Sequence, residues 1–388
     1  MRSVLWLTGA VALVLCAAQP AFAADPGVSA DKIVFGQAAP LSGPASALGQ
    51  GMHDGLIAAF SEANAKGGIN GHKLELISKD DGYEPNKSID VTKQLLNDSK
   101  VFALIGAVGT PTSMAVLPIT VESNVPFIGA FTGTGGLRNP YKANVVNVRA
   151  SYGQETEEMV ERLTKDAKAE RISIFYQDDS FGQAGLAGAK AALDKRGMKL
   201  ASEGTYERNT TAVRQALLDI RKGNPQAVIM VGAYEPCAEF IKLARQIKMD
   251  AVFVNISFVG ADALAKALGD SGPGVYVTQV VPFPEDSSVP VVAAYQAALK
   301  AGVPNSAPGF VSLEGYMAGR LAIAGLEKIS GEPSRKALLD ALSNGTYDLG
   351  GMKLTYGAND NQGSDKVFLT VIDKPGHLKP VTSMASSS

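Results

Sequence analysis

The chain of 388 residues holds two cysteines and three histidines, and it has no cluster of lysine and arginine. Cys16 falls in an apolar leader, so Cys237 stands alone and no intramolecular disulfide can form. His53, His72 and His377 are scattered, with no second histidine or cysteine at metal-ligand spacing, and no metal site is expected. Lysine and arginine total 36 against 38 aspartate and glutamate, a net charge of −2 that grows one unit more negative without Arg2. Such a balance, without a basic stripe, offers a phosphate backbone nothing to follow and argues against a nucleic-acid partner. A Gly-x-Ser-x-Gly elbow is missing, and Cys237 has no base beside it in sequence, so it reads as a buried, inert thiol. No catalytic constellation is visible, which points to a binding protein and not an enzyme. Solenoid repeats, low-complexity linkers and heptads are absent as well.

The long apolar run that does exist is at the start. Met1-Arg2 precedes Val4 to Cys16, and Ala21-Phe22-Ala23 follows. A basic start, an apolar stretch too short for a membrane span with margin, and a small-x-small site describe a secretory signal peptide over residues 1–23. Cleavage after about Ala23 places the mature chain in the periplasm. Leu15 is larger than the small residue expected before a lipidated cysteine, so lipidation at Cys16 is the weaker option. The Ala-Ser-Ser-Ser end is expected to fray.

From Asp31 onward short apolar runs alternate with amphipathic stretches. Ile33 to Phe35, Leu74 to Ile77, Val101 to Ile105 and Val125 to Ile128 suit buried parallel strands. Between them Gly51 to Lys66, Asn86 to Asp98 and Thr112 to Ser123 have helical length, and Gly67-Gly68 is a helix stop. A second series begins near Arg171, with strands at Ile172 to Tyr176, Ala227 to Val231, Val252 to Val254 and Val275 to Val280. The fold class is therefore α/β, with two doubly wound parallel-sheet lobes. Helices at about Val289 to Ala301 and Leu313 to Ser330, then strands from Met352 to Val381, are too few for a third domain and complete the first two.

Open parallel sheets gather ligands beyond the carboxyl ends of their strands. In the first lobe, Ala39 to Pro44, Gly106 to Ser113 and Phe131 to Gly136 occupy such places. They combine exposed N–H groups with Thr110, Thr112, Thr132 and Thr134 ahead of helices, a setting that attracts an anion, with a carboxylate as the obvious guest. Helix capping is the structural alternative for each threonine. Gly133 to Gly136 lacks the lysine of a P-loop and the spacing of a dinucleotide fingerprint, and no cofactor is expected. In the second lobe, Phe181 and Tyr234 sit at turns after strands, where a ring either flanks a ligand or plugs the lobe's own core. Asp80-Asp81 could form a carboxylate dyad or a calcium ligand, but a solvated turn capping the next helix is the simpler expectation.

Ala38-Ala39-Pro40-Leu41-Ser42-Gly43-Pro44, Ala65-Lys66-Gly67-Gly68-Ile69, Lys79-Asp80-Asp81 and Ser180-Phe181-Gly182 occur in order and at matching distances to the leucine/isoleucine/valine-binding proteins of ABC importers. Over nearly the whole mature chain the sequence resembles that family. The resemblance implies a type I periplasmic binding fold, whose lobes are joined by three crossings and close on a ligand at a hinge. The crossings fall near Val148 to Ser151, Val280 to Phe283 and Gly350 to Leu354, giving lobe 1 as 24–149 plus 283–350 and lobe 2 as 150–282 plus 351–388. It further implies a small-molecule ligand and a membrane permease as partners. Carried over by position, the carboxylate-holding loops are Thr110 and Thr132 to Thr134, and the aromatic wall is Phe181 and Tyr234. Leu48 takes a place that is aromatic in some relatives, Tyr152 lies just past the first crossing, and Ser257 stands in the stretch where the family's amino-acid binders carry an acid. Tyr83 and Gly109 occupy the positions of a disulfide found in some relatives. With no acid in Asn255 to Gly260, an ammonium would lack its partner unless Glu235, Glu314 or another acid reaches the cleft. Import of a small aromatic or aliphatic carboxylate is thus expected, with amino-acid import and a ligand sensor for a membrane receptor as alternatives.

Overall fold

The computed structural model describes residues 25–384; the signal peptide, Cys16, the cleavage point after Ala23 and the Ala-Ser-Ser-Ser tail lie outside the described residues. The chain enters with β1 (Lys32–Ala39), α1 (Ser46–Ala65), β2 (Lys73–Asp80), α2 (Pro85–Asn97), β3 (Ala103–Ile105), α3 (Thr110–Glu122), β4 (Phe127–Ile128) and β5 (Val145–Val146). These strands form one parallel sheet in the order β2-β1-β3-β4-β5. β1 is buried at every residue after Lys32, as a strand covered by helices on both faces must be. α1 stops where Gly67 and Gly68 take positive φ and Gly68 N–H returns to the Ala63 carbonyl at 3.0 Å.

The second series runs through α4 (Tyr152–Lys165), β6 (Ile172–Gln177), α5 (Ser180–Asp194), β7 (Glu203–Tyr206), α6 (Arg214–Lys222), β8 (Ala227–Val231), α7 (Tyr234–Gln246), β9 (Val252–Asn255), α8 (Ala261–Leu268) and β10 (Tyr276–Gln279). The helix α4 has no counterpart in the sequence reading. It starts at a capping box in which Ser151 and Gln154 satisfy each other's backbone N–H.

Three helices, α9 (Pro290–Gly302), α10 (Phe310–Glu327) and α11 (Arg335–Leu342), then follow, and α9 and α10 pack on α1. Glycines make the α1–α10 contact close. A Cβ on Gly55 would lie 1.9 Å from the Ser312 carbonyl oxygen, and one on Gly315 would lie 2.5 Å from that of Met52. β11 (Gly345–Asp348), β12 (Lys353–Gly357) and β13 (Asp360–Gly363) form a small separate sheet, and β14 (Phe368–Lys374) and β15 (His377–Val381) finish the large one. Its order is β15-β14-β10-β9-β8-β6-β7, with β14 and β15 antiparallel at one edge.

The small sheet stays beside the first sheet. Asn147 N–H, just past β5, donates to the Asn361 carbonyl at 2.9 Å, and Tyr356 Oη donates to the Asn147 carbonyl at 2.6 Å. The third passage between the sheets accordingly lies between β13 and β14, after residue 363, whereas the sequence places it near Gly350 to Leu354.

The two lobes meet face to face. Gln177 Nε2 donates to Tyr83 Oη at 3.2 Å, Arg208 pairs with Glu84 at 2.8 Å, and Phe310 N–H donates to Asp262 at 3.0 Å. One apolar cluster of buried side chains runs from the first lobe into the second.

Candidate functional site

The loop after β1 is shaped by Asp80, the last residue of the neighbouring strand. Burial alone would raise its carboxyl, but donors from Ser42, Gly82, Leu41 and Lys87 hold it well below the usual carboxylate range. Asp81 is not the solvated turn residue suggested by sequence. It is fully buried, accepts from Tyr83 N–H at 2.9 Å and Ser88 Oγ at 2.8 Å, and burial pushes it up to about 6.

The Thr110 and Thr132 hydroxyls share a hydrogen bond of 2.7 Å, which ties the start of α3 to the loop after β4. Gly109, with φ 102°, permits this meeting: a Cβ there would sit 2.2 Å from the Tyr83 ring. Thr112 turns back to the Val108 and Gly109 carbonyls, and Thr134 accepts from Gly136 N–H at 3.3 Å as a cap. Tyr152, at the first turn of α4, closes over the threonine pair. Burial pushes its hydroxyl pKa up; Arg149 and the hydroxyls of Thr132 and Thr110 oppose the shift, yet the Tyr152 oxygen makes no hydrogen bond of good geometry.

Five rings surround this point. Phe258 meets Phe181 at 4.5 Å, Phe131 at 5.2 Å and Tyr83 at 5.9 Å between centroids, and Phe181 meets Tyr152 at 5.4 Å. Phe131 and Tyr83 come from the first lobe and the others from the second, so the aromatic lining is completed only when the lobes meet.

Charge enters at the crossing after β5. Arg149 is 0% exposed, and its guanidinium lies over the Phe131 ring at 5.2 Å and the Tyr152 ring at 5.7 Å. One nitrogen, Nη2, donates to Glu155 of α4 at 2.8 Å and also to Ser257 Oγ. The other, Nη1, reaches Glu314 of α10 at 3.4 Å. Its Nε has no partner. Glu155 is well satisfied, accepting besides from Ser257 N–H at 2.9 Å, Ser257 Oγ at 2.9 Å and Thr278 Oγ1 at 2.6 Å. Glu314 is not, and burial pushes it up to about 7 against the pull of Arg149. A second guanidinium, Arg138, donates to the Arg149 carbonyl at 3.0 Å; burial, then Arg149, lowers its pKa to about 10.

The structure brings Thr110, Thr132, Tyr152, Phe181 and Ser257 to one place between the lobes. Tyr234 and Leu48 stand at its edge. Tyr234 Oη accepts from Ala47 N–H at 3.5 Å, and Leu48 lies under Gly260, where a Cβ would be 2.5 Å from its Cδ2. Thr134 is a cap beside the site. Cys237 is fully buried and its thiol is pushed up by burial, which keeps it from acting as a thiolate. Sequence reasoning did not single out Arg149, Glu155, Phe131 or Phe258, and named Tyr83 only as a lost disulfide position. The available signal was a lone arginine inside the apolar stretch 145–150, which must find buried partners.

Residues 32–377 match the family model described as periplasmic binding protein. A Leu/Ile/Val-binding protein homolog 7 of Brucella suis biovar 1 (strain 1330) is 26% identical over 366 residues, covering 91% of this chain and 89% of that one. A solved structure described as a possible leucine/isoleucine/valine-binding protein from Rhodopirellula baltica SH 1 is 40% identical, with TM-score 0.86 over 93% of this chain and 98% of that one. The fatty acid ABC transporter substrate-binding protein from Thermomonospora curvata, 20% identical, shares the fold with TM-score 0.84 over 94% of this chain and 95% of its own.

Proposed function

The chain belongs to the family of type I periplasmic binding proteins, and on that premise we propose that it is the exported solute-binding protein of an ABC importer. Its ligand is a small carboxylate without an α-ammonium group, aromatic or aliphatic, and its task is capture and not turnover. Export follows cleavage after about Ala23. The observation that carries the ligand class is Arg149. The protein places its own cation against Ser257, in the stretch where an acid would be needed to meet a ligand's ammonium. A ligand ammonium brought there would have to share Glu155 and Glu314 with a guanidinium that is already paired to both, and a buried cation without an acid of its own is costly.

In this reading the first lobe grips the carboxylate with the Thr110 and Thr132 hydroxyls, the N-terminal end of α3 and the partnerless Nε of Arg149. Phe181, Tyr152 and Phe258 of the second lobe then cover it, and Tyr234 and Leu48 seal the edge. The hinge is the three crossings, at 147–151, at 280–289 and between 363 and 368. Among the described residues lobe 1 is then 25–149 with 283–363, and lobe 2 is 150–282 with 364–384. The closed form is what the permease engages.

Amino-acid import is the second reading, favoured by the names of the relatives and by two buried acids, Glu155 and Glu314, at the site. A thermal-shift screen with amino acids, aromatic acids and dicarboxylates separates the two. A cleft ligand at a hundred times its Kd stabilises the folded protein by about 2.7 kcal/mol. Free acids should raise the Tm. Stabilisation by amino acids alone would overturn the proposal.

A further inference from the structure

The buried charge cluster contains two carboxylates and one guanidinium between them, and they are not held alike. Glu155 accepts four hydrogen bonds, from Arg149 Nη2, Ser257 N–H, Ser257 Oγ and Thr278 Oγ1. Among the described residues, the Glu314 oxygens accept only from Arg149 Nη1, at 3.4 and 3.5 Å. The same guanidinium has Nε free of any acceptor. A ligand carboxylate gripped beside Thr110 and Thr132 would bring a third negative group against Arg149, with Arg138 as a further cation of the cluster.

Three buried carboxylates around Arg149, with Arg138 behind it, raise one another's proton affinity and so favour protonation of one of them. Glu155 is held in place by its four donors. Glu314 has only the long contacts to lose.

Resting on the carboxylate reading above, we propose that ligand capture is coupled to uptake of one proton by Glu314, which makes this side chain the group that selects an anion over a zwitterion. A zwitterion would set its ammonium against ionised Glu314 and would take up no proton, releasing one where the free protein holds it. The protonated Glu314 could donate to a ligand oxygen in place of its contact with Arg149.

Burial already lifts Glu314 to about 7 in the absence of a ligand, so the proton is available near neutrality. The groups that face it are Arg149 from the crossing after β5, Glu155 from α4 and Arg138 from the segment after β4. On the flanking helices α1 and α9, Lys300 is exposed and the other titratable groups are engaged elsewhere. His53 contacts Ser78, Asp54 contacts Ser306, Glu62 contacts Tyr316 and Arg320, and Tyr295 contacts Ser312.

The sign follows from linkage. A bound anion raises the Glu314 pKa further, so the complex holds more protons than the free protein between the two values. Affinity must fall as pH rises through that window, by about tenfold per unit where the coupling is complete, and level off below it.

Calorimetry of the whole mature chain with benzoate and with 4-methyl-2-oxopentanoate, each in two buffers of different ionisation enthalpy from about pH 6 to 9, counts the protons directly. Both probes stay ionised throughout that range. We expect up to one proton taken up per ligand, greatest near pH 8, and a Glu314→Gln protein that binds with none and with a flat pH profile. Binding without proton uptake, or an unchanged count in Glu314→Gln, overturns the proposal and leaves the carboxylate reading in place. Failure of both probes to bind at any pH removes that reading, and the proposal falls with it.

Discussion

Thr110 is the residue through which the site can be probed with least disturbance. Its hydroxyl spends its hydrogen bond on Thr132 and faces Tyr152, whose own oxygen is buried and left without a partner. Hydrogen bonds to a charged acceptor contribute about 1.5–3 kcal/mol. Thr110→Ala should therefore weaken a carboxylate ligand by roughly tenfold to a hundredfold in titration calorimetry, with the Tm of the free protein lowered only slightly. Unchanged affinity would remove Thr110 from the site. In sequence Thr110 could be read equally as a ligand donor or as a helix cap, and only the fold shows its hydroxyl bonded to that of Thr132. Arg149 was not legible. Its partners Glu155 and Glu314 lie 6 and 165 positions away, and only the fold brings the three together. Ser257 could be read as a missing acid, but not as the acceptor of a cation supplied by the chain itself.

At the scale of elements, the first lobe depends on how closely α1 and α10 approach. Gly55 stands where any side chain would strike the α10 backbone, 1.9 Å from the Ser312 oxygen and 2.5 Å from the Tyr316 nitrogen. Backbone cannot turn aside as a side chain can. Gly55→Ala should cost about 1–3 kcal/mol of stability, despite alanine's better helix propensity, and chemical denaturation would measure it. A gain in stability would mean that the helices can separate without loss. The α1 glycines were readable only as punctuation, since nothing in the sequence says which helix will lie against them. The βα alternation itself was plain, because central strands such as β1 and β8 are buried along almost their whole length and appear as unbroken apolar runs. α4 was hidden for the opposite reason: its sequence is dominated by polar and charged residues, and its start is set by a side-chain cap. The small sheet of β11 to β13 is short and polar, and its place beside β5 comes from the side chains of Asn147, Tyr356 and Asn361.

For the whole molecule, the proposed function depends on the meeting of two lobes, and Gly260 is a gauge of it. Gly260 adopts φ 75° in the second lobe and lies against Leu48 of the first, so a methyl group there would force the Leu48 side chain or the lobes to shift. Gly260→Ala should lower stability by about 1 kcal/mol through the left-handed backbone and, in addition, weaken ligand by roughly tenfold through incomplete closure. Leu48→Ala in the same protein should restore most of the affinity. If it restores none, the contact between Leu48 and Gly260 does not govern closure.

Closure also explains why the aromatic rings and the charge cluster could not be assembled from sequence. Phe131 and Phe258 belong to different lobes and become neighbours at 5.2 Å only across the cleft, as do Arg149 and Ser257. The central claim is that this cleft is built for a carboxylate whose cation the protein itself supplies. The most direct test is calorimetry with leucine and 4-methyl-2-oxopentanoate, which share a carbon skeleton and differ in the ammonium group. The account predicts at least about tenfold tighter binding of the oxo acid, a difference of about 1.4 kcal/mol. Tighter binding of leucine would contradict it.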